Sequence, residues 1–288
     1  MIQKLTIGQK LFTRIVIAIT LIIIAVPLLW IFFLAFKRPN EIYESTLFIF
    51  PKNFHFTLDN FLNSVSFIQK TLKISYIRMY INSIIVTGGG LIISMLAASF
   101  AAFAMVHYKF RTKELYYTFI LLSYMIPVQV LLIPLYIVLQ KLSLLNTYAA
   151  LIFPYATMCV PIATLILRNF FAQIPFEFTE AAYLDGATSF QIFKSIYLPL
   201  ARPALATCII FLFLEMWNEF LFAFIFIRVD SLQTLPLAMS RIGIGARAMI
   251  PWGIYGASIV IAVVPIFIIF MIFQKWFISG LVAGGIKG

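Results

Sequence analysis

The sequence predicts an all-α polytopic membrane protein with six transmembrane helices. Of its 288 residues, 63% are hydrophobic and 11% are charged, whereas soluble domains average about 45–50% and about 25%. The mean hydropathy is +1.03, and a soluble fold of this size would leave much of that apolar surface in water. With 31 Phe, 13 Tyr and 4 Trp, the composition also excludes a disordered chain.

Six apolar segments lie between charged residues, and each is long enough to cross a hydrocarbon core about 30 Å thick. They cover about residues 15–36, 79–106, 115–139, 147–167, 203–227 and 253–274. The first follows basic residues, as the apolar part of a signal peptide would. Its apolar run exceeds the usual length of about 7–15 residues and no small-residue cleavage site follows, so we expect a retained helix.

Two features inside the spans predict how the helices pack. Membrane helices tolerate proline when neighbouring groups satisfy the freed backbone atoms, so we expect kinks rather than helix ends at Pro27, Pro127, Pro134, Pro154, Pro161 and Pro265. The second span carries a small-residue surface that another helix can approach closely, formed by Ala97, Ala98, Ser99, Ala101, Ala102 and Ala104.

The remaining composition excludes several kinds of site. A net charge of +11 would suggest a nucleic-acid partner in a soluble protein, but basic residues are expected near lipid headgroups in a membrane protein. Cys159 and Cys208 lie in apolar stretches, as buried thiols do. Neither His55 nor His107 has metal-ligand spacing around it. The glycines at 88–90 lack the Walker A pattern, so we assign them to helix flexibility.

Between the fourth and fifth spans, a polar segment predicts two short helices. Pro175 suits the first position of the first helix, and Gly186 follows its end, where a left-handed residue is favoured. Thr188 and Gln191 have the spacing of a capping box for the second helix, which should end just before Pro199. Such a helix–turn–helix is either a surface for a partner protein or a re-entrant or interfacial connection.

This segment, residues 168–202 and called the interspan loop below, resembles the EAA loop of ABC importer permeases. The defining positions are matched by Glu180, Ala181, Ala182, Gly186, Ile196, Leu198 and Pro199. The resemblance implies a cytoplasmic loop that docks into a cleft of an ATPase subunit and passes nucleotide-driven motion to the membrane helices. It also implies that the two alanines fit a groove and that Gly186, after Asp185, makes the bend. Glu180 would offer a charge to the partner or cap the helix.

Further stretches resemble the carbohydrate-uptake permeases of the maltose and oligosaccharide type. They are Asn82–Val86, Ile133–Leu135, Trp217–Phe220, Thr234–Pro236 and Gln274–Phe277. The similarity covers nearly the whole chain, and the six-span layout is similar to the smaller permease of a heterodimer. The resemblance therefore implies a multi-pass protein of a bacterial cytoplasmic (inner) membrane that imports a sugar or oligosaccharide by alternating access.

The resemblance also implies an assembly in which this chain has no catalytic residue, metal or cofactor of its own. Its partners would be a second homologous permease, two ATPase subunits that bind ATP and Mg²⁺, an extracytoplasmic solute-binding protein, a sugar and the lipid bilayer, but no nucleic acid. A loop at about Arg228–Trp252 would contact the binding protein. The C-terminal tail, residues 275–288, would reach the ATPase dimer with Gly280, Gly284, Gly285 and Lys287.

A group of residues inside the spans is a candidate for the translocation path or for a permease–permease contact: Asn82, Glu215, Trp217, Asn218 and Glu219. The two acids are four residues apart and hence on one face of a helix. An ionised acid near the bilayer centre costs roughly 2.5–3.5 kcal/mol, so both should face a cavity or a partner helix. Contact with the partner permease, a sugar path and proton coupling all stay open.

Two alternatives to a sugar importer remain at this point. The same architecture could carry glycerol phosphate or sialic acid, because net charge does not select the cargo. A protein of a different class, a proton-coupled carrier working through Glu215 and Glu219, is the second alternative.

The topology follows from placing the interspan loop in the cytoplasm, which puts both termini on that side. Basic residues then fall almost equally on the two membrane faces. The short loops obey the positive-inside rule, because Lys109, Arg111 and Lys113 lie inside and Lys141 alone lies in the next, external loop.

Overall fold

The computed structural model describes residues 6–38, 41–42, 55–245 and 251–285, and the regular elements in those ranges are helices. The α-helices are α1 (Ile7–Leu34), α2 (Asp59–Leu72), α3 (Tyr76–His107), α4 (Lys113–Tyr124), α5 (Val128–Lys141), α6 (Ala149–Phe171), α7 (Glu177–Leu184), α8 (Ser189–Ile192), α9 (Leu198–Leu200), α10 (Arg202–Trp217), α11 (Leu221–Phe226), α12 (Leu235–Gly245) and α13 (Trp252–Gly285). A π-helix (Phe193–Tyr197) joins α8 to α9, and a 3₁₀ turn (Asp230–Leu232) follows α11.

Four of these helices, α1, α3, α6 and α13, are long and apolar enough to cross a membrane. Two bent pairs also qualify: α4 with α5, at 97°, and the helix over Ser189–Leu200 with α10, at 77°. By length and composition the described chain therefore has four spans, or up to six if each bent pair counts as one. The prediction of an all-α membrane protein is confirmed.

At five of the six positions the helix continues through the proline, as we expected, and the kinks themselves stay a prediction. Pro27, Pro134, Pro154, Pro161 and Pro265 lie inside helices. At the sixth, Pro127, the expectation is wrong, because α4 ends and the residue takes an extended ψ of 129° before α5 begins. The third predicted span is thus two helices.

The chain forms two compact units. The first comprises residues 1–73 and 241–264, and within it Asn60 joins α2 to the end of α1. The Asn60 side-chain amide donates to the backbone carbonyls of Ala35 (2.9 Å) and Lys37 (2.8 Å). A Cβ on Gly253 would come within 2.7 Å of the same amide, so only glycine lets α13 begin here.

A second polar contact of this unit fastens Glu41 beyond the end of α1. Glu41 Oε1 accepts from the backbone N–H of His55 (3.2 Å) and lies 3.0 Å from the His55 Nδ1. Burial acts to raise the pKa of Glu41, but hydrogen bonds from His55 and from the backbone of Arg38 outweigh it, so this pKa lies below its ordinary value. Burial lowers the pKa of Lys37, against the raising effect of Glu41.

The second unit, residues 74–240 and 265–288, has its core where α3 and α6 pack together. The predicted small-residue surface contributes Ala98, Ser99 and Ala102, which are buried, whereas Ala97 is exposed. A Cβ on Gly90 would approach Met216 Sδ to 2.9 Å, and one on Gly89 would approach Ile152 Cδ1 to 3.0 Å. Two of the three glycines that we assigned to flexibility thus permit close helix packing.

Candidate functional site

The interspan loop folds into the predicted helix–turn–helix. Gly186 follows α7 with φ +77°, in the left-handed region that favours glycine. The Ala187 N–H donates to the Ala182 carbonyl (2.9 Å) and the Gly186 N–H to the Tyr183 carbonyl (3.0 Å), which together form a Schellman motif. The predicted glycine cap is confirmed, and it closes the turn with two backbone hydrogen bonds.

The second half of the loop begins with the predicted capping box. The Gln191 N–H donates to Thr188 Oγ1 (3.3 Å), and the Thr188 N–H donates to Gln191 Oε1 (2.7 Å). We expected the helix to end just before Pro199, and this expectation is wrong. Leu198 is helical (φ −62°, ψ −46°), and its N–H donates to the Phe193 carbonyl five residues back. That π-helical turn widens the helix and accommodates the proline ring and its missing N–H.

The first helix of the loop also starts later than predicted. It begins at Glu177, two residues after Pro175, with the Phe178 N–H donating to the Pro175 carbonyl (3.3 Å). The proline therefore precedes the first helical turn.

The EAA-matching residues and Asp185 lie mostly on the outer surface of the interspan loop. Exposed members are Glu180, Ala181, Asp185, Gly186 and Pro199, whereas Ala182, Ile196 and Leu198 are half-buried. Between the two helices is a groove of about 350 Å³, lined by Ala182, Asp185, Gly186, Ala187, Gln191 and Ile196 among others. Leu184, beside the bend, is 90% exposed, so the tip of the loop presents an apolar side chain next to the exposed Asp185.

The inner side of the loop is hydrogen bonded to the last turn of α3, which our sequence reasoning missed. His107 Nε2 and the Tyr183 hydroxyl are 2.7 Å apart, and the same hydroxyl lies 3.0 Å from Ser189 Oγ. His107 stacks on Phe103, with ring centroids 4.4 Å apart. Tyr183 therefore connects both helices of the loop to α3.

Aromatic rings extend this contact along the π-helix. Phe103 of α3 lies 5.0 Å from Tyr197 and 5.1 Å from Phe193 between ring centroids. Phe171, the last residue of α6, lies 5.4 Å from Tyr197. The Tyr197 and Thr179 hydroxyls are 3.2 Å apart. The loop thus rests on the ends of both central helices of its unit.

The five membrane candidates separate into different environments. We expected Glu215 and Glu219 to share a helical face, and this expectation is wrong because α10 ends at Trp217. Glu219 accepts from the backbone N–H groups of Phe222 (2.7 Å) and Ala223 (3.4 Å) at the start of α11, and from the Tyr155 hydroxyl. Its carboxyl group therefore satisfies the backbone of a broken span.

Of these five candidates, Glu215 is the one that lines the cavity bordered by α4, α5, α6 and α10. It is exposed on α10 and borders a space of about 410 Å³. Trp217 is buried and stacks on Phe213 at 5.3 Å, and the exposed Asn218 donates to the Leu214 carbonyl (2.9 Å). Glu215 and Asn218 are thus both exposed, and of the two Glu215 borders this cavity.

Asn82 is fully buried and fastens the segment after α11 to α3. Its amide nitrogen donates to the carbonyls of Ser231 (3.0 Å) and Gln233 (2.9 Å), and its oxygen accepts from the Tyr148 hydroxyl (2.7 Å). Ser83 adds a bond by accepting from the Leu235 N–H (2.8 Å). Every polar atom of the Asn82 side chain is therefore engaged within the protein.

The predicted C-terminal contacts lie on or beyond the last helix. Gly280, Gly284 and Gly285 belong to α13, and Lys287 lies outside the described residues. Of the loop at about Arg228–Trp252, residues 246–250 are likewise outside them.

The described residues form a multi-span helical protein in which a capped helix–turn–helix connects α6 to α10. Residues 90–283 match the family of binding-protein-dependent transport system inner membrane components. That match covers more than half of the sequence, and the chain belongs to this family.

Curated relatives agree over nearly the full length. The chain is 37% identical to a probable ABC transporter permease protein, YurM, of Bacillus subtilis, across 93% of this chain and 85% of the relative. It is 32% identical to the trehalose/maltose transport system permease protein MalG of Thermococcus litoralis, across 97% of this chain and 99% of the relative. The chain is therefore an ABC transporter permease.

A solved structure has the same fold. The crystal structure of a bacterial ABC transporter involved in the import of the acidic polysaccharide alginate contains a chain that superimposes with a TM-score of 0.81. The match covers 95% of this chain and 99% of the other, at 20% sequence identity.

Proposed function

We propose that this chain is one of two permease subunits of an ATP-driven importer of a sugar or oligosaccharide. Membership of a binding-protein-dependent transport family supports the importer assignment. The similarity to a trehalose/maltose permease over almost the whole of both chains supports carbohydrate cargo. A second permease, two ATPase subunits and a binding protein complete the assembly, located in the bacterial cytoplasmic membrane with both termini of this chain inside.

The interspan loop is the element that couples this permease to an ATPase subunit. Its exposed apolar tip at Leu184 and the groove beside Gly186 form a compact surface for a cleft of that subunit. The Schellman turn fixes the angle between α7 and α8, so the loop moves as one body. Displacement then passes through Tyr183 and His107 to α3 and opens the permease alternately to either side.

ATP and Mg²⁺ belong to the partner ATPase in this proposal, and this chain catalyses no reaction. Its contribution is mechanical, since binding energy released on closure of the ATPase dimer shifts the membrane helices between two arrangements. The end of α13, with Gly280, Gly284 and Gly285, and Lys287 beyond it provide a second contact with the ATPase dimer.

The observation that carries this proposal is the left-handed Gly186 at the exposed bend. Gly186→Val should strain that backbone, because β-branched residues are rarely left-handed. The altered bend should reduce sugar-stimulated ATP hydrolysis of the reconstituted transporter by about tenfold or more, which corresponds to the 1–2 kcal/mol or so that such strain costs.

Gly186→Asn is the matched control, because asparagine tolerates the left-handed region and a Cβ at this position meets no atom within 4 Å. It should retain most of the coupled hydrolysis. Equal activity of the valine variant and the wild type, at equal membrane content, would remove the coupling role of the bend.

A further inference from the structure

We propose that Glu215 contacts the transported solute and that this residue restricts the cargo to neutral, hydroxyl-rich molecules. This inference rests on the proposed import of a sugar and names the charge class of that sugar. It assigns to this chain a share in cargo selection within the membrane.

The cavity beside Glu215 has the size of a small-molecule site. Its volume of about 410 Å³ lies within the range of about 300–1,000 Å³ found for ligand pockets. It is bordered by α4, α5, α6 and α10 of the second unit. Glu215 is the only charged side chain among the lining residues, all of which belong to the described part of the chain.

Two features indicate that this cavity holds polar contents rather than lipid tails. A carboxylate exposed on a membrane helix is unfavourable against hydrocarbon. The break between α4 and α5, at 125–127, borders the same cavity, and irregular backbone at membrane depth is tolerated only inside protein or beside water. Both costs are relieved by a water-filled path that passes Glu215.

The hydrogen-bonding groups of the cavity match hydroxyl groups. Thr157 donates its proton to the Phe153 carbonyl (2.8 Å) and Ser123 donates to the Ile120 carbonyl (2.6 Å), so both hydroxyl oxygens, like the Glu215 carboxylate, are left as acceptors for a ligand. Val128, the first residue of α5, offers its backbone N–H as a donor, because the first-turn amides of a helix have no partner within it. A sugar hydroxyl both donates and accepts and therefore fits both kinds of group.

Aromatic surface completes the match to a sugar. Tyr124 and Phe211 line the cavity, with 59% and 51% of their surface exposed. Such rings provide flat apolar surface for the C–H faces of a pyranose, while the polar groups orient its hydroxyls. The lining is thus mostly apolar with a few placed polar atoms.

An anionic cargo would be disfavoured by the same groups. At about 6 Å and an effective dielectric constant of about 20, repulsion by one carboxylate lowers the occupancy of a monoanion about a hundredfold. The N-terminus of α5 contributes about half a positive charge, which raises the occupancy of the monoanion again by about tenfold. The net discrimination is about tenfold against anions, and this opposes glycerol phosphate or sialic acid as cargo.

Uptake by the complete transporter in proteoliposomes tests the contact. The probes are trehalose, maltose and maltotriose as neutral sugars, and glycerol 3-phosphate and an alginate trisaccharide as anions. We expect the wild type to import a neutral probe. Glu215→Gln should lower that uptake about tenfold, while ATP hydrolysis stimulated by the binding protein stays within about twofold, because one charge-assisted hydrogen bond is lost.

Glu114→Gln is the matched control for removing an acid. Glu114 pairs with Arg168 at 2.6 Å but is largely exposed, and exposed ion pairs contribute little, so uptake should not change. Import of anionic probes alone by the wild type, or full uptake by Glu215→Gln, would overturn the inference and leave an ATP-driven importer in place. No uptake of any probe by the wild type would count against the proposed function instead.

A second measurement does not depend on the identity of the cargo. Thr157→Cys, in the complete transporter with Cys159→Ala and Cys208→Ala, places one thiol in the cavity. The measured quantity is the labelling rate with a cationic methanethiosulfonate reagent divided by the rate with an anionic reagent of similar size. This ratio should be about tenfold higher when Glu215 is present than in Glu215→Gln. An unreactive thiol, or a ratio that Glu215→Gln leaves unchanged, would show that a protein partner covers Glu215 and would overturn the inference.

Discussion

At the residue scale, buried and half-buried polar side chains in this permease fasten irregular backbone to helices. Asn82 holds two carbonyls of the segment after α11, Glu219 holds two N–H groups of α11, and Asn60 holds two carbonyls beyond α1. Each side chain satisfies backbone groups that a helix would otherwise satisfy, which is essential where water is excluded. These polar residues therefore stabilise breaks in the helical pattern.

Asn82→Leu should expose this role. The substitution keeps a similar volume but leaves two carbonyls and the Tyr148 hydroxyl without a partner. We expect the detergent-solubilised protein to lose about 1–3 kcal/mol of unfolding free energy or more, seen as a lower thermal midpoint and faster proteolysis near residue 231. Asn63→Leu, at an exposed position of α2, is the control, and equal loss in both variants would contradict the assignment.

At the element scale, the interspan loop is joined to α3 through one tyrosine hydroxyl. Tyr183 contacts His107 and Ser189 with that single oxygen, while aromatic rings around Phe103 supply apolar contact. The hydroxyl network sets the position of the loop on α3, and the rings set how strongly it packs. These two contributions can be separated by substitution.

Tyr183→Phe removes the hydroxyl and keeps the ring. Because a net hydrogen bond contributes about 0.5–1.5 kcal/mol, we expect the amount of sugar imported per ATP hydrolysed to fall about two- to tenfold, with assembly of the complex unchanged. Tyr116→Phe removes a hydroxyl from an exposed tyrosine of α4 and should have no effect. Unchanged stoichiometry in Tyr183→Phe would exclude this link from coupling.

The same elements show which parts of the fold the sequence could predict. The Gly186 cap and the Thr188 capping box were predictable, because their partners lie within a few residues along the chain. The break after Trp217 was not, since the Tyr155 hydroxyl that helps hold Glu219 is 64 residues away. The His107–Tyr183 contact spans 76 residues, and a lone histidine carries no local signal of such a partner. Local rules therefore predicted the loop but not its attachment.

At the scale of the whole molecule, this chain leaves much apolar surface uncovered. The most apolar stretch of α1 has no buried residue, the tip of the interspan loop is exposed at Leu184, and the Glu215 cavity is partly open. These described surfaces are thus left open by a single copy. In the proposed assembly, lipid, the second permease and an ATPase subunit cover them.

The isolated chain should therefore transport nothing. Reconstituted alone in liposomes with an imposed proton gradient, it should give no uptake of trehalose, maltose or glycerol 3-phosphate above protein-free vesicles. Addition of the second permease, the ATPase, ATP and the binding protein should restore uptake of the cognate sugar. Proton-driven uptake by the chain alone would instead favour a carrier working through its membrane acids.

The helix α3 holds a different polar segment at each of its two ends. The first turns of α3 hold the segment at 231–235 through Asn82 and Ser83, and its last turn holds the interspan loop through His107. Over 32 residues this is a rod about 48 Å long. Its most bendable stretch, at Gly89 and Gly90, is braced by Ile152 and Met216. In the proposed assembly, a loaded binding protein outside and closure of the ATPase inside would act on opposite ends of this one helix, so neither signal would have to cross a sliding helix interface to reach the other.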